Sequence, residues 1–215
     1  MQTLTITAPD SGYNDLKPTS NDKWQLMIDA VADVVTDRND NSPIYKIVIA
    51  GEGNVGKTST IRQFCEGKFN QSRIATMGVD FQVKRVTLSG KAVRLSIWDI
   101  AGQEQFLIFR DMFYGGAHAV ALVYDVTAPA TFFALSRWRD EIQAVMPGVP
   151  IAIVGNKLDL YQAVPADDVR AWAKEQSMPF LQTSAATGDH IKDFFIGLGY
   201  MALFEQRRRN LAMAR

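Results

Sequence analysis

The stretch IYKIVIAGEGNVGKTST, residues 44–60, decides the fold of this 215-residue chain. Its first seven residues are apolar and β-branched for the most part, which is typical of a buried strand. The residues after Lys57 carry apolar side chains at helical spacing. Between strand and helix, Gly51 to Thr58 matches G-x-x-x-x-G-K-[ST], in which backbone N–H groups surround a phosphate, the lysine meets the outer phosphates and the threonine hydroxyl binds Mg²⁺. A chance glycine turn is the alternative, and the flanking elements favour the phosphate-binding loop.

The composition indicates a globular domain with an extension. Apolar residues make up 47% and charged residues 21% of the chain, enough to bury a core. Lysine plus arginine equals aspartate plus glutamate, 23 each, so no overall field attracts nucleic acid. Cys65 is the one cysteine, which excludes a disulfide within the chain. With no apolar run of membrane-spanning length and no secretory signal, we expect a cytoplasmic protein with possible peripheral membrane contact.

Three regions follow one another along the chain. Residues 1–43 form an N-terminal extension, in which we expect residues 1–20 to be poorly ordered and residues 22–38 to form an amphipathic helix. Trp24 and a valine face on that helix predict that it packs on the rest of the chain. Residues 44–205 form the main domain, and residues 206–215 a basic tail. Its three arginines could meet acidic lipids weakly, but a solvated helix end is the simpler account.

The main domain alternates strands and helices. This order predicts an α/β fold: a six-stranded, mostly parallel sheet with helices on both faces, and a hairpin around residues 89–91 that supplies one antiparallel edge strand. The predicted strands span residues 44–50, 79–88, 92–98, 119–124, 150–155 and 180–181, and the predicted helices residues 58–66, 131–145, 166–176 and 190–204.

A motif after the fifth strand indicates which base is bound. Asp159 in Asn156-Lys157-Leu158-Asp159 can accept from two adjacent donors of guanine, N1–H and the exocyclic amine, whereas adenine has no such pair. Asn156 can serve the other edge of the base, and the stem of Lys157 can cover the ring. The small-residue loop at residues 183–186 can offer a backbone N–H to the guanine carbonyl. A guanine nucleotide is therefore expected, and an ATP-using enzyme is disfavoured.

The motifs GEGNVGKT, TMGVDF, WDIAGQE, NKLD and TSAA together resemble the Ras superfamily of small GTPases, and within it the Rab branch most. The resemblance covers about 160 residues and implies a P-loop G-domain. It also implies binding of GTP or GDP with Mg²⁺, slow GTP hydrolysis, and a switch between two states that acts in vesicle trafficking or related signalling. The alternative function is an interaction module that binds guanine nucleotide without hydrolysing it.

The resemblance also implies residue roles. Thr76, with Thr58, ligates Mg²⁺, Asp99 holds a water on that ion, and the Gly102 N–H meets the γ-phosphate. Gln103 positions the attacking water, and Lys57, on the outer phosphates, is a further catalytic residue. Gly53 stands where the family needs a side chain of minimal size. The nucleotide-binding positions implied are Gly51, Gly53, Asn54, Val55, Gly56, Lys57, Thr58, Ser59, Phe69, Thr76, Gly102, Asn156, Lys157, Asp159, Leu160, Ser184, Ala185 and Ala186.

Two of the assigned positions leave alternatives open. Phe69 falls where an aromatic residue packs on the purine, with a core phenylalanine as the alternative. Arg73 precedes Thr76 by three positions, the spacing at which G-protein α subunits carry a catalytic arginine in cis. A solvated surface arginine is the alternative for Arg73.

Protein partners are implied as well. Phe81, Trp98 and Phe113 match the aromatic triad through which Rab proteins show their nucleotide state to effectors, and we expect an exposed cluster there. Residues 105–109, QFLIF, depart from the family's more polar run, which puts the usual Rab effectors and regulators in doubt. The chain ends without the cysteines that receive prenyl groups in Rab proteins, so no lipid anchor is expected.

Overall fold

The structure, a computed structural model, describes residues 4–6, 41–69, 79–102 and 113–214. Helices and strands alternate as the sequence predicts. The strands are β1 (Leu4–Ile6), β2 (Ile44–Ala50), β3 (Val79–Leu88), β4 (Lys91–Ile100), β5 (Ala119–Asp125), β6 (Ile151–Asn156) and β7 (Phe180–Gln182). The helices are α1 (Lys57–Glu66), α2 (Pro129–Phe133), α3 (Leu135–Val145), α4 (Ala166–Glu175) and α5 (Ile191–Met213).

The strands form one sheet in the order β1-β3-β4-β2-β5-β6-β7. β2 pairs in parallel with β4 and β5, and β6 pairs in parallel with β5 and β7. β3 and β4 form the expected antiparallel hairpin through Ser89 and Gly90, both at positive φ. The prediction of a six-stranded, mostly parallel sheet is confirmed, and β1 adds a seventh strand at the outer edge.

The two faces of the sheet carry separate cores. Ile47 and Ile49 of β2 point to the face covered by α1 and α5, where Ile61 and Phe195 pack. Val48 and Ala50 point to the opposite face, which α3 and α4 cover with residues such as Trp138. β5 is buried along its whole length, as expected of a strand with helices on both sides. This layering brings the carboxyl ends of the parallel strands to one edge, where open α/β sheets bind ligands.

Two elements differ from the sequence prediction, and a third lies outside the described part of the chain. Residues 4–6 form strand β1 within the segment expected to be poorly ordered. The single helix expected over residues 131–145 is two helices, separated at Ala134. The N-terminal helix expected over residues 22–38 lies outside the described residues.

The predicted basic tail also differs from the structure, because α5 continues to Met213 instead of ending near residue 204. Glu205 is 5% exposed, and its carboxylate accepts hydrogen bonds from Arg208 and Arg209 at distances of 2.8–2.9 Å. Arg209 also donates to the Ala117 carbonyl oxygen at 2.6 Å. Two of the three arginines therefore serve the helix and its docking on the domain. None of the helices in the described part of the chain is long and apolar enough to cross a membrane.

Candidate nucleotide-binding site

The phosphate-binding loop connects β2 to α1 through two glycines that no other residue could replace without displacement. Gly51 has φ 135°, and a Cβ there would lie 2.2 Å from the Val123 carbonyl oxygen. Gly56 has φ 95°, and a Cβ there would lie 2.2 Å from the Asn156 amide nitrogen. α1 then begins at Lys57 with no side-chain cap, so the N–H groups of its first turn face the loop. Such an N-terminus suits an anion.

Lys57 lies over this loop. Its side chain is buried, and its ammonium donates to the carbonyl oxygens of Gly51 and Glu52, each at 2.8 Å. These bonds hold the positive charge above the concave side of the loop, where it would meet the outer phosphates of a nucleotide.

Oxygen atoms suitable for Mg²⁺ gather next to the loop. The Thr58 hydroxyl donates to the carboxylate of Asp99, which is 2% exposed on β4. Asp80 faces Asp99 directly across the β3–β4 ladder, and burial raises the pKa of the Asp80 carboxyl. Hydroxyl and carboxylate oxygens are the ligands a hard cation prefers, and two buried acidic groups favour a positive charge. The oxygen atoms gathered here therefore fit Mg²⁺, and Thr58 and Asp99 are the residues that could hold it.

The base-recognition motif is joined to the phosphate-binding loop by Asn156. This side chain is 1% exposed, donates to the Val55 carbonyl oxygen at 2.9 Å, and accepts from the Ala185 N–H at 3.1 Å. Three segments thus meet at one side chain, which reaches Val55 across 101 residues and Ala185 across 29. Asn156 positions the two loops, a role that sequence reasoning had not assigned to it.

Asp159, which is predicted to select the base, is held in place by its neighbours. Its carboxylate accepts a hydrogen bond from the buried Ser184 hydroxyl. Lys157 has φ 70°, and its ammonium forms an ion pair with Asp125 at the end of β5. The ion pair therefore holds the Lys157 ammonium at the end of β5.

The other predicted residues differ in their exposure. Phe69 is 42% exposed, so the alternative of a core phenylalanine does not hold. Leu160 is also exposed, whereas Ser184 and Ala185 are buried. Asn54 adopts φ 62° at the tip of the loop. The described loop positions are completed by Val55, which is buried, Ser59, which is half-buried, and Ala186, which is exposed.

Two glycines differ in the space around them. A Cβ at Gly102 would lie 2.4 Å from the Glu52 carbonyl carbon and 2.5 Å from Gly51 O and Gly53 N, so Gly102 rests against the phosphate-binding loop. A Cβ at Gly53 would meet no described atom within 4 Å. No described residue therefore limits the size of a side chain at Gly53. The predicted residues Arg73, Thr76 and Gln103 lie outside the described residues.

Glu52 is a site residue that sequence reasoning missed. It occupies a variable position of the loop motif, and its carboxylate accepts from Arg137 Nη2 at 2.6 Å and Trp138 Nε1 at 2.7 Å. Trp138 is fully buried on α3. The loop is thus anchored to α3 by a contact that no local pattern could reveal.

The expected exposed aromatic cluster is wrong for two of its three residues. Phe81 is 2% and Trp98 is 4% exposed, and their rings stack with centroids 5.5 Å apart across the β3–β4 ladder. The Lys46 ammonium lies 3.9 Å from the Trp98 ring centroid and covers it. Phe113 is half-buried against the same cluster.

Comparison with known proteins agrees with this geometry. Residues 46–202 match the model of the Ras family. Human Ras-related protein Rab-30 is 37% identical over 171 residues, which cover 78% of this chain and 84% of that protein. Ras-related protein SEC4 of Saccharomyces cerevisiae is 40% identical over 157 residues, 72% of this chain and 73% of SEC4. The GTP-binding protein YPT1 of the same yeast is 34% identical over 171 residues, 78% of this chain and 83% of YPT1. The chain therefore belongs to the Ras family of small GTPases and is Rab-like within it.

Proposed function

We propose that this GTPase is a switch that binds GTP with Mg²⁺, hydrolyses it slowly to GDP and phosphate, and presents the two states to protein partners in vesicle trafficking or related signalling. The observation that carries the proposal is the convergence at Asn156. One buried amide joins the phosphate-binding loop to both base-recognition segments, at 2.9 Å and 3.1 Å. A site assembled in this way has phosphate and base positions at a fixed separation, as a whole nucleotide requires.

The described residues divide the work of binding. The N–H groups at the start of α1 and the Lys57 ammonium would hold the phosphates, and Asp159 would select guanine through its two adjacent donors. Bound Mg²⁺ would neutralise charge on the β- and γ-phosphates. We place Thr58 in direct contact with the ion, together with Thr76, and Asp99 in contact through water.

Hydrolysis would depend on residues in or next to the motifs TMGVDF, residues 76–81, and WDIAGQE, residues 98–104, which we call the first and second switch motifs. We propose that Gln103 orients the attacking water and that the Gly102 N–H contacts the γ-phosphate. We also propose that Arg73 stabilises charge on the transferring phosphoryl group in cis, as its spacing from Thr76 suggests. Because Gly53 has open space around it, its lack of a side chain would leave room for the water near the γ-phosphate.

The decisive experiment is single-turnover release of phosphate from GTP loaded on the purified chain, compared among wild type and three variants. Gln103→Leu should slow the release, and Arg73→Ala should slow it roughly tenfold or more, without loss of nucleotide affinity. Arg207→Ala, which removes an exposed arginine far from the site, is the matched control and should keep the wild-type rate. Release by Arg73→Ala at the wild-type rate would show that Arg73 has no catalytic part. Absence of release from wild-type protein with GTP still bound would refute hydrolysis.

Partner contact is proposed to involve the switch segments and the aromatic residues Phe81, Trp98 and Phe113. Since the first two are buried, a partner would reach them only with a rearrangement at the β3–β4 edge, or would contact Phe113 and the adjoining segments first. We further propose that the protein acts in the cytoplasm or at a membrane surface.

A further inference from the structure

An apolar groove lies between α1, β3 and the start of α5. It encloses about 600 Å³, and its apolar lining comes from Phe64 of α1, Val86 of β3, and Ile191 and Ile196 of α5. Three of these side chains, Phe64, Val86 and Ile196, are only half-buried, although they pack on the core of this face of the sheet. An open groove of contiguous apolar side chains marks a place that a further element or a partner covers.

The lining of the groove also carries positive charge. Its basic residues are Lys84, Arg85 and Lys192, and none of the described residues that line it is acidic. The acids next to lining positions in the sequence, Glu66, Asp189 and Asp193, are exposed and lie outside the lining. The groove therefore suits an occupant that combines an apolar face with negative charge.

The chain segment that precedes β2 begins and ends beside this groove. β1 ends at Ile6, next to β3, and the chain is described again from residue 41 onwards. There the Ser42 carbonyl oxygen accepts from Arg94 Nη2 at 2.9 Å, and Arg94 faces Arg85 across the β3–β4 ladder. Because neighbouring strands are about 4.8 Å apart, the start of β2 lies about 10 Å from β3 at the level of the groove.

The residues between these two ends, 7–40, lie outside the described part of the chain, and their sequence has the required character. Residues 22–38 are predicted to form an amphipathic helix, which would be about 25 Å long. Its apolar face consists of Trp24, Met27, Ile28, Val31, Val34 and Val35, and its opposite face carries Asp22, Asp29, Asp33 and Asp37. The link from Arg38 to Ser42 spans at most about 14 Å, so the end of this helix has to stay near β3 and β2.

We propose that the groove between α1, β3 and α5 is the docking site of residues 22–38 of the same chain. These residues bind as a helix whose apolar face covers Phe64, Val86 and Ile196, while its aspartates stay in water and are attracted by the basic lining. The short link to β2 gives this segment a high effective concentration, which favours it over a second copy of the chain. The acidic face disfavours an anionic membrane as the alternative surface for the helix.

The docked helix acts on the side of the site that is predicted to bind the base. Gly188, in the lining of the groove, donates to the Ser184 carbonyl oxygen at 2.9 Å and accepts from the Ile191 N–H at 3.2 Å. The Ser184 hydroxyl in turn donates to Asp159. A helix that covers Gly188 and Ile191 therefore restrains this turn and slows nucleotide release. This effect rests on the proposed function, whereas the docking does not.

Amide hydrogen exchange of the full-length chain tests the docking. Residues 22–38 should be protected in the wild type. Val31→Asp places a charge on the apolar face and should raise exchange roughly tenfold or more within residues 22–38, 84–88 and 188–197. Thr36→Asp adds the same charge to the polar face of the helix and is the matched control, which should exchange as the wild type does. Residues 166–175 of α4 are the internal reference for an intact fold.

A second pair of variants tests the groove itself. Ile196→Ser alters the lining and should release residues 22–38 in the same way. Phe204→Ser removes an apolar side chain on the same helix that is 63% exposed and outside the groove, and should leave their protection unchanged. The docking is overturned by unprotected residues 22–38 in the wild type, by an effect of Phe204→Ser instead of Ile196→Ser, or by protection that falls on dilution, which would place the helix on a second copy.

Displacement of a fluorescent GDP analogue tests the effect on the nucleotide. Val31→Asp should release it roughly threefold or more faster than Thr36→Asp does. Equal release rates, with protection of residues 22–38 lost, would overturn the restraint of the base-binding turn. A wild-type chain that binds no GDP analogue would instead refute the proposed function, and the exchange data would still decide the docking.

Discussion

The contact between Glu52 and α3 leads to a quantitative prediction for Glu52→Ala. The substitution removes the acceptor that Trp138 Nε1 reaches at 2.7 Å and the one that Arg137 Nη2 reaches at 2.6 Å. Trp138 is fully buried, and loss of a charged acceptor for a buried donor costs about 1–3 kcal/mol. The Arg137 side chain is 51% exposed, so its ion pair contributes about 0.5 kcal/mol or less. The free energy of unfolding should therefore fall by about 2 kcal/mol.

Nucleotide release should change as well, because Glu52 belongs to the phosphate-binding loop. Its carbonyl oxygen accepts from Lys57 Nζ at 2.8 Å, so a displacement of Glu52 moves the ammonium that would meet the phosphates. If about 1 kcal/mol of the lost stabilisation appears as weaker nucleotide binding, GDP release accelerates about fivefold. Urea denaturation measures the first effect, and displacement of a fluorescent GDP analogue measures the second.

Glu141→Ala is the matched control for this prediction. Glu141 also lies on α3, and its carboxylate accepts from the hydroxyl of the buried Tyr114 at 2.7 Å, away from the loop. It should lower the free energy of unfolding to a similar extent while GDP release stays at the wild-type rate. The reasoning is refuted if Glu52→Ala behaves like Glu141→Ala in both assays, or if Glu52→Ala changes the free energy of unfolding by less than about 0.5 kcal/mol.

Three further predictions test other parts of the structure. Gly102→Ala should lower the melting temperature and weaken GTP binding, because its Cβ would lie 2.4 Å from the backbone of the phosphate-binding loop. Gly53→Ala should leave the melting temperature unchanged, since its Cβ meets no described atom within 4 Å. Equal melting temperatures for the two variants would contradict this reasoning. Burial lowers the pKa of Lys46 from 10.5 to about 8, so between these pH values the unfolded chain binds more protons than the folded chain. The free energy of unfolding of the wild type should therefore rise by about 1 kcal/mol from pH 7 to pH 9, relative to that of Lys46→Met. Urea denaturation at the two pH values measures this difference. Asp159→Asn should weaken GTP binding about 100-fold or more in a competition assay, and should favour XTP because an amide can donate to the xanthine carbonyl; retained GTP preference would exclude Asp159 from base selection.

The elements around the loop could be predicted because their signals are local. The β-branched run of β2, the two strained glycines and the helical spacing of α1 follow one another within 23 residues, from Ile44 to Glu66. Local turn chemistry likewise placed the β3–β4 hairpin at Ser89 and Gly90. Asp159 was assigned from the donor pattern of guanine, which depends on one side chain and one base rather than on distant contacts.

The predicted end of α5, at residue 204, was wrong because the arginines were interpreted without their helical neighbours. Three consecutive arginines usually indicate a solvated surface, and they were assigned to a separate tail. Glu205 lies three and four positions before Arg208 and Arg209, the spacing of helical ion pairs, and it is buried among the residues that dock α5 on the domain. The pairing was visible in the sequence, whereas the burial of Glu205 was not.

β1 and the aromatic cluster show a different limit. A run of three residues is too short for a periodic signal, so the strand could be recognised only from the edge of β3 that it pairs with. Phe81 and Trp98 were expected to be exposed because related proteins use such residues for partner contact. The covering of Trp98 by Lys46, 52 residues earlier in the chain, depends on the tertiary structure.

Glu52 and Asn156 explain why the chemistry of the site was more predictable than its architecture. Both side chains bridge segments remote in sequence: Glu52 reaches Trp138 across 86 residues, and Asn156 reaches Val55 across 101. A motif specifies which groups can meet a phosphate or a base, because those groups are set by the residue types within it. Long-range hydrogen bonds from the buried donors Trp138 and Asn156 hold the phosphate-binding loop in its position. The motif does not predict such bonds, because they can start or end at its variable positions. Variation at Glu52 should therefore affect nucleotide release more than base selectivity, whereas variation at Asp159 should affect base selectivity first.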